Sequence, residues 1–196
     1  RFVDFSKTDF IGRAAALAER DNGPQRRFVV MEVEAQDADV AREGATAATD
    51  TPEALDAMVE VLSSLGEPAV FPVHPRTKAK LQAGGRWDAL QQVPGLVLAP
   101  PAGYLDFTNL LMNARAVVTD SGGVQEEAPS LGKPVLVLRN TTERVEAVAA
   151  GTCILVGTDP ARICQETTRL LDDPVEYLRR SKLQNPYGDG TAARKI

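Results

Sequence analysis

The chain has 196 residues, 43% of them hydrophobic, with 22 Lys and Arg against 27 Asp and Glu and a net charge of -5. That length buries a real core in one domain, and the acidic balance excludes a whole-surface basic field for nucleic acid, so an anionic ligand needs a local device such as a helix N-terminus or one or two arginines. Cys153 and Cys164 with a single histidine, His74, make no disulfide framework and no zinc or multi-histidine metal centre, and no apolar run reaches the roughly 18 residues of a membrane span.

Residues 8–20 read as an amphipathic helix, with Phe10, Ile11, Ala14, Leu17 and Ala18 on one side, stopped by Asp21-Asn22-Gly23-Pro24. Residues 28–33 are a strand. Residues 34–50 are small, acidic and aperiodic, a long loop of the kind that is functional or mobile. Thr51 as N-cap and Pro52 start a helix that runs to Leu65 and stops at Gly66. A short strand follows over 69–73, its signal weakened by Pro72. A short basic helix over 75–83 is closed by Gly84-Gly85. A strand follows over 96–99, then a helix over 103–114 with Tyr104, Phe107, Leu110 and Leu111 on one face. Strands over 116–119, 134–138 and 153–156 alternate with helices over 122–131, 143–150 and 160–171, and a last helix starts near Pro174.

Six short strands separated by helices predict an α/β fold: one doubly wound, mostly parallel, Rossmann-like sheet flanked by helices, spanning 1–196 as a single domain. Such sheets bind ligands at the carboxyl ends of their strands, so the residues directly after strands are where chemistry is sought.

The stretch 117–127, VVTDSGGVQEE, carries the strongest signal. An apolar strand ends in Asp-Ser-Gly-Gly and a helix begins at once. The two glycines permit positive φ and a close backbone approach. The helix-start N–H groups and the dipole favour phosphate, and the Ser121 hydroxyl adds a donor. Glu127, one turn into the helix, would repel phosphate, so a sugar diol is its sensible partner. The combination points to a nucleotide, with phosphates on Ser121, Gly122 and Gly123 and ribose hydroxyls on Glu127. The alternative is a tight strand–helix turn with a Ser or Asp cap and nothing bound. A second strand ends in the cluster 138–146, LRNTTERVE, where Thr141 or Thr142 can cap the next helix. Arg144 in that first turn opposes the dipole, which hints at an anionic partner; the alternative is an ion pair with Glu143, Glu146 or Glu127.

The run TDSGGVQEEAPSLGKPVLVLRNTTERVEAVAAGT, with LVGTD and NPYGDGTAARKI after it, resembles the non-hydrolysing UDP-N-acetylglucosamine 2-epimerases. The resemblance extends from about Phe71 through Ile196. It implies a GT-B-like architecture of two Rossmann-like domains with the active site between them, of which this chain would be the C-terminal, UDP-binding half. The initial Arg1 fits an excised piece whose N-terminal domain lies elsewhere. The implied reaction is anti elimination of UDP and re-addition, with no cofactor, in a cytoplasmic enzyme of polysaccharide biosynthesis. By the resemblance, Ser121, Gly122 and Gly123 hold the diphosphate, Glu127 grips the ribose, Arg144 lies near the nucleotide-sugar and Phe107 near the uracil. His74 matches a histidine associated with a regulatory nucleotide-sugar site; its plain alternative is a capping or packing role. For Phe107 the alternative is helix core. The implied partners are UDP or a UDP-N-acetylhexosamine, the N-terminal epimerase domain and a second copy in a homodimer, with no nucleic acid and no membrane.

The match breaks after the first strand. Glu34 stands where the family has its active-site histidine and Ala35 where it has an arginine. Ala102 takes the place of a glutamine near the base, and Asn140 that of an aspartate. Losing a cation beside a diphosphate is worth about 4 kcal/mol at ~4 Å and an effective dielectric of ~20. No catalytic residue is therefore assigned within this chain. Two other functions stay open: a degenerate, non-catalytic nucleotide-sugar-binding module, and a GT-B glycosyltransferase domain. Asn185-Pro186-Tyr187-Gly188-Asp189-Gly190 reads as structural, Cys153 and Cys164 as buried thiols, and Arg26-Arg27 and Arg179-Arg180 as solvated faces.

Overall fold

The computed structural model describes residues 28–32 and 52–188. The expected helix over 8–20, the loop over 34–50, Thr51, Arg26-Arg27 and Asp189-Gly190 lie outside the described residues. In chain order the elements are β1 (Val29–Glu32), α1 (Pro52–Ser64), β2 (Ala69–Pro72), α2 (Pro75–Ala83), α3 (Trp87–Gln91), β3 (Leu96–Ala99) and α4 (Tyr104–Asn113), then β4 (Ala116–Thr119), α5 (Gly122–Ser130), β5 (Val135–Val137), α6 (Val145–Ala150), β6 (Cys153–Leu155), α7 (Pro160–Asp172) and α8 (Pro174–Ser181).

The six strands form one sheet in the order β3-β2-β1-β4-β5-β6, and every neighbouring pair is parallel. Strand side chains alternate between the faces. Val29, Met31, Phe71, Val118 and Leu136 pack with α1, α2, α3 and α7 on one face. Val30, Val117, Val135 and Val137 pack with α4, α5 and α6 on the other. Because β1, β4 and β5 are covered on both sides, Val29-Val30-Met31, Ala116-Val117-Val118 and Val135-Leu136-Val137 read as continuous apolar runs rather than as alternating patterns. Each large side chain removed from water, such as Phe71 or Met31, contributes about 1.5–3 kcal/mol.

Pro72 is tolerated in an inner strand for a register reason. The Val73 N–H donates to the Ala99 carbonyl of β3 at 2.8 Å. The neighbouring Pro72 nitrogen therefore faces β1, and there the pairing of β2 has already stopped at Val70. The five-residue α3 is absent from the sequence reading because it is too short to show a period. Tertiary contacts hold it: Leu90 is fully buried, and the Lys78 ammonium lies 4.9 Å from the centre of the Trp87 ring. Arg86 just before it pairs with Asp56 of α1.

The C-terminal helix closes the opposite end of the sheet from the strand carboxyl ends. Arg115, directly before β4, stacks on Tyr177 of α8 at 3.5 Å and donates its N–H to the Phe28 carbonyl at 2.8 Å. Arg179 is exposed, as expected of a solvated face, whereas Arg180 is largely covered. Both bond the buried Glu176, Arg179 at 2.7 and 2.9 Å and Arg180 at 2.7 Å. Arg180 also reaches the Gly151 carbonyl at 2.8 Å, at the negative end of α6.

The Arg179 and Arg180 hydrogen bonds hold the Glu176 carboxyl down at about 2. A depressed carboxylate contributes stability that is complete above its ordinary titration range and lost as pH falls through the folded value. Glu176→Gln should cost about 1.5–3 kcal/mol at neutral pH and flatten the acid limb between roughly pH 4.5 and 2 in thermal unfolding. A second expectation concerns the turn after α5. Gly132 has φ +69°, and a Cβ there would sit 3.0 Å from the Ser181 carbonyl at the end of α8; Gly66, at φ +67°, has open space. Gly66→Ala should cost about 1–2 kcal/mol, the left-handed penalty alone, and Gly132→Ala measurably more in the same unfolding assay.

Candidate functional site

The strand order reverses between β1 and β4, which places the ligand crevice of a doubly wound sheet at their carboxyl ends. Thr119, the last residue of β4, is in register with Glu32, the last of β1. The continuation of β1, with Glu34 and Ala35, lies outside the described residues. The described rim is built by the turns that follow β4 and β5.

After β4 the chain passes through buried Asp120 and Ser121, at 3% and 2% exposure. Ser121 is extended (φ -70°, ψ 130°) and is the N-cap of α5. Its N–H donates to Thr119 Oγ1 at 3.0 Å, and its hydroxyl accepts from the Val124 N–H at a long 3.5 Å. Gly122 and Gly123 are the first helical residues. Amides there have no intrahelical acceptor and lie at the positive end of the dipole. Positive φ is not the reason for glycine at these positions, since neither residue adopts it. At Gly122 the missing Cβ leaves room for two side-chain ends: a Cβ would lie 2.9 Å from Glu143 Oε1 and 3.6 Å from Arg144 Nη2.

The turn after β5 therefore packs directly on the start of α5. Arg144 is the N-cap of α6 (φ -97°, ψ 54°) rather than a residue of its first turn, because the helix begins at Val145 and not at 143. No side chain caps that helix in the usual way. The Thr142 hydroxyl instead accepts the Arg144 N–H at 3.1 Å and donates to Gln125 Oε1 at 2.8 Å. The Arg144 guanidinium pairs with Glu126 and lies 3.8 Å from Glu143, which also accepts from Arg139 at 3.1 Å. The sequence leads one to expect Glu143, Glu146 or Glu127 as the partner of Arg144. Glu143 is one, but the closest is Glu126, four residues after Gly122 and so on the same side of α5. Glu127 is exposed one residue further on, and Glu146 accepts from the Tyr187 hydroxyl at 3.4 Å.

The structure thus brings Ser121, Gly122, Gly123 and Arg144 into one cluster, with Glu127 on the same helix. His74 stands at the end of β2, two strands from β4, where its Nδ1 accepts the Arg76 N–H at 3.3 Å as the N-cap of α2. Phe107 is half-buried on α4 against the apolar cluster that contains Val117 and Val124. Asn185 donates to the Glu126 carbonyl at 2.8 Å and accepts the Tyr187 N–H at 3.2 Å, so the 185–188 turn braces α5. Burial pushes the Cys153 thiol up to about 12, which leaves it protonated and inert at neutral pH. No group of three His, Cys, Asp or Glu that could hold a metal occurs among the described residues.

Gln125 was not singled out from the sequence. It is fully buried, and its amide donates to the Ser121 carbonyl at 3.0 Å. The signal available for it was its place on the apolar stripe of α5, beside Val124 and Ala128. A polar residue on such a stripe needs buried partners.

Comparison with known proteins agrees with this arrangement. The family model described as UDP-N-acetylglucosamine 2-epimerase matches residues 45–196. The UDP-N-acetylglucosamine 2-epimerase of Escherichia coli strain K12 is 52% identical over 127 residues, which are 65% of this chain and 33% of that protein. The crystal structure of the Neisseria meningitidis UDP-GlcNAc 2-epimerase bound to UDP-GlcNAc superposes with a TM-score of 0.71 at 31% identity, covering 95% of this chain and 48% of that one. The Methanocaldococcus jannaschii UDP-GlcNAc 2-epimerase in complex with UDP-GlcNAc and UDP gives a TM-score of 0.73 at 29% identity, covering 96% and 48%. The chain therefore spans a third of the curated relative and about half of each solved structure. With a six-stranded sheet of this order, a Ser-Gly-Gly helix start facing an arginine turn, and a family match over residues 45–196, the chain belongs to the UDP-N-acetylglucosamine 2-epimerase family.

Proposed function

We propose that this chain is the UDP-binding, C-terminal half of a UDP-N-acetylglucosamine 2-epimerase, the enzyme that interconverts UDP-GlcNAc and UDP-ManNAc by anti elimination and re-addition of UDP. The observation that carries the reading is the contact of two helix starts at the switch point, α5 at Ser121-Gly122-Gly123 and α6 at Arg144. The Gly122 and Gly123 amides at the positive end of α5 and the Arg144 guanidinium lie side by side there, and donors of this kind suit a diphosphate. Glu127, exposed on the same helix, is the acceptor for the ribose hydroxyls. Phe107 is assigned to the uracil end and His74 to a separate, regulatory nucleotide-sugar contact.

An N-terminal domain would complete the constellation and supply the acid–base groups. Glu34 and Ala35 stand where the family carries a histidine and an arginine, so this chain brings no catalytic residue of its own. By itself it binds and does not turn over, because half of the positioning is missing. We place the complete enzyme in the cytoplasm, in polysaccharide biosynthesis, acting as a homodimer without a cofactor. A non-catalytic binding module is the second reading, and the residues at 34, 35 and 102 favour it.

Calorimetric titration of the chain with UDP tests the site. Saturable binding is expected, weakened about tenfold by Glu127→Ala as two hydrogen bonds to the ribose are lost. No saturation at millimolar UDP would remove the independent binding site. Glu143 gives an opposite expectation. Its carboxylate lies against Gly122 and shares Arg144, so an incoming diphosphate must displace it. Glu143→Gln should bind UDP a few-fold more tightly, and the gain should shrink at high salt.

A further inference from the structure

We infer that Gln125 is a positioning residue that holds the arginine turn in register with the glycine turn. The inference rests on the nucleotide reading of the site. Four groups are joined in series. The Ser121 carbonyl accepts from Gln125 Nε2 at 3.0 Å, Gln125 Oε1 accepts from the Thr142 hydroxyl at 2.8 Å, and that hydroxyl accepts the Arg144 N–H at 3.1 Å. The first group is the cap of α5 and the last is the cap of α6. One side-chain amide thus connects the backbones of the two helix starts that would share a diphosphate.

Gln125 is fully buried, so each end of the amide has one partner and no water to replace it. The two ends are chemically distinct. The NH2 group faces a carbonyl and the oxygen faces a hydroxyl, so the amide fits in one orientation only. The Thr142 hydroxyl has a single proton, and giving it to Gln125 leaves its lone pairs to accept from Arg144. The bridge therefore fixes direction as well as distance. The ion pair of Arg144 with Glu126 also crosses from one turn to the other, and a bound anion would compete with it. Gln125 is fully buried and acts through Arg144.

A double-mutant cycle in UDP titrations separates this role from general support of the fold. Gln125→Met keeps the side-chain length and removes both bonds. It is expected to weaken UDP binding about tenfold in the parent chain and less than about twofold in an Arg144→Ala background. Thr142→Val should copy it, and Thr142→Ser should restore binding. Where Gln125→Met fails to fold by circular dichroism, Thr142→Val carries the test from the half-buried end of the bridge. Equal losses in the two backgrounds, or parent-like affinity in folded Gln125→Met and Thr142→Val, would overturn the inference and leave the nucleotide site standing. A parent chain that does not bind UDP would overturn both.

Discussion

The central strands β1, β4 and β5 are covered by helices on both faces, and the rest of the molecule follows from that constraint. A strand with no solvent face must be apolar throughout, and its backbone groups must all find partners in the sheet. Val29 to Met31, Ala116 to Val118 and Val135 to Val137 meet both demands. Polar chemistry is thereby expelled to the strand ends. Parallel strands send all their carboxyl ends to one edge, so the polar residues after β4 and β5 converge without any special device. The site is a consequence of how the core excludes water.

At that edge the charges nearly cancel. Arg139 and Arg144 meet Glu126 and Glu143 within a few ångströms. In a protein of net charge -5 the turn can attract an anion only if its arginines are released from their own acids. Gly122 matters here because the missing Cβ lets Glu143 approach the helix start. The same gap would admit a phosphate oxygen. Under the proposed reading, internal carboxylates and ligand are alternatives for one set of donors, and affinity depends on the difference between them.

The other end of the sheet is held by a different kind of contact. Arg115 stacked on Tyr177, and Glu176 gripped by Arg179 and Arg180, tie α8 to the start of β4 and to the end of α6. The 185–188 turn then returns to α5 through Asn185. The last described residues therefore lie against the helix that carries the Ser-Gly-Gly start. The C-terminal segment braces the site from behind, which gives a physical reason for the length of the matching run in the sequence.

Periodicity and punctuation determined the architecture. Apolar runs of three to six residues, each followed by a capping residue, Pro or Gly and then an amphipathic stretch, describe a doubly wound sheet before any contact is known. Ser-Gly-Gly after such a run marks a helix start at a strand end for purely local reasons, and the Asp173-Pro174 and Asp159-Pro160 starts are legible in the same way. What the sequence did not reveal depends on residues far apart in the chain. The short helix at Trp87 exists because Leu90 is buried, not because five residues favour a helix. Arg144 chose Glu126 over Glu127 because α5 turns one of two adjacent carboxylates toward it. Arg179 and Arg180 reach Glu176 at helical spacing, but the burial of that carboxylate and the Arg180 bond to the Gly151 carbonyl depend on where α8 lies. Gln125 looks like one more polar residue on a helix, and only the packing of the β5–α6 turn on α5 gives each end of its amide a buried partner. Local chemistry sets which elements form; the burial of a few polar groups against distant neighbours sets what those elements hold in place.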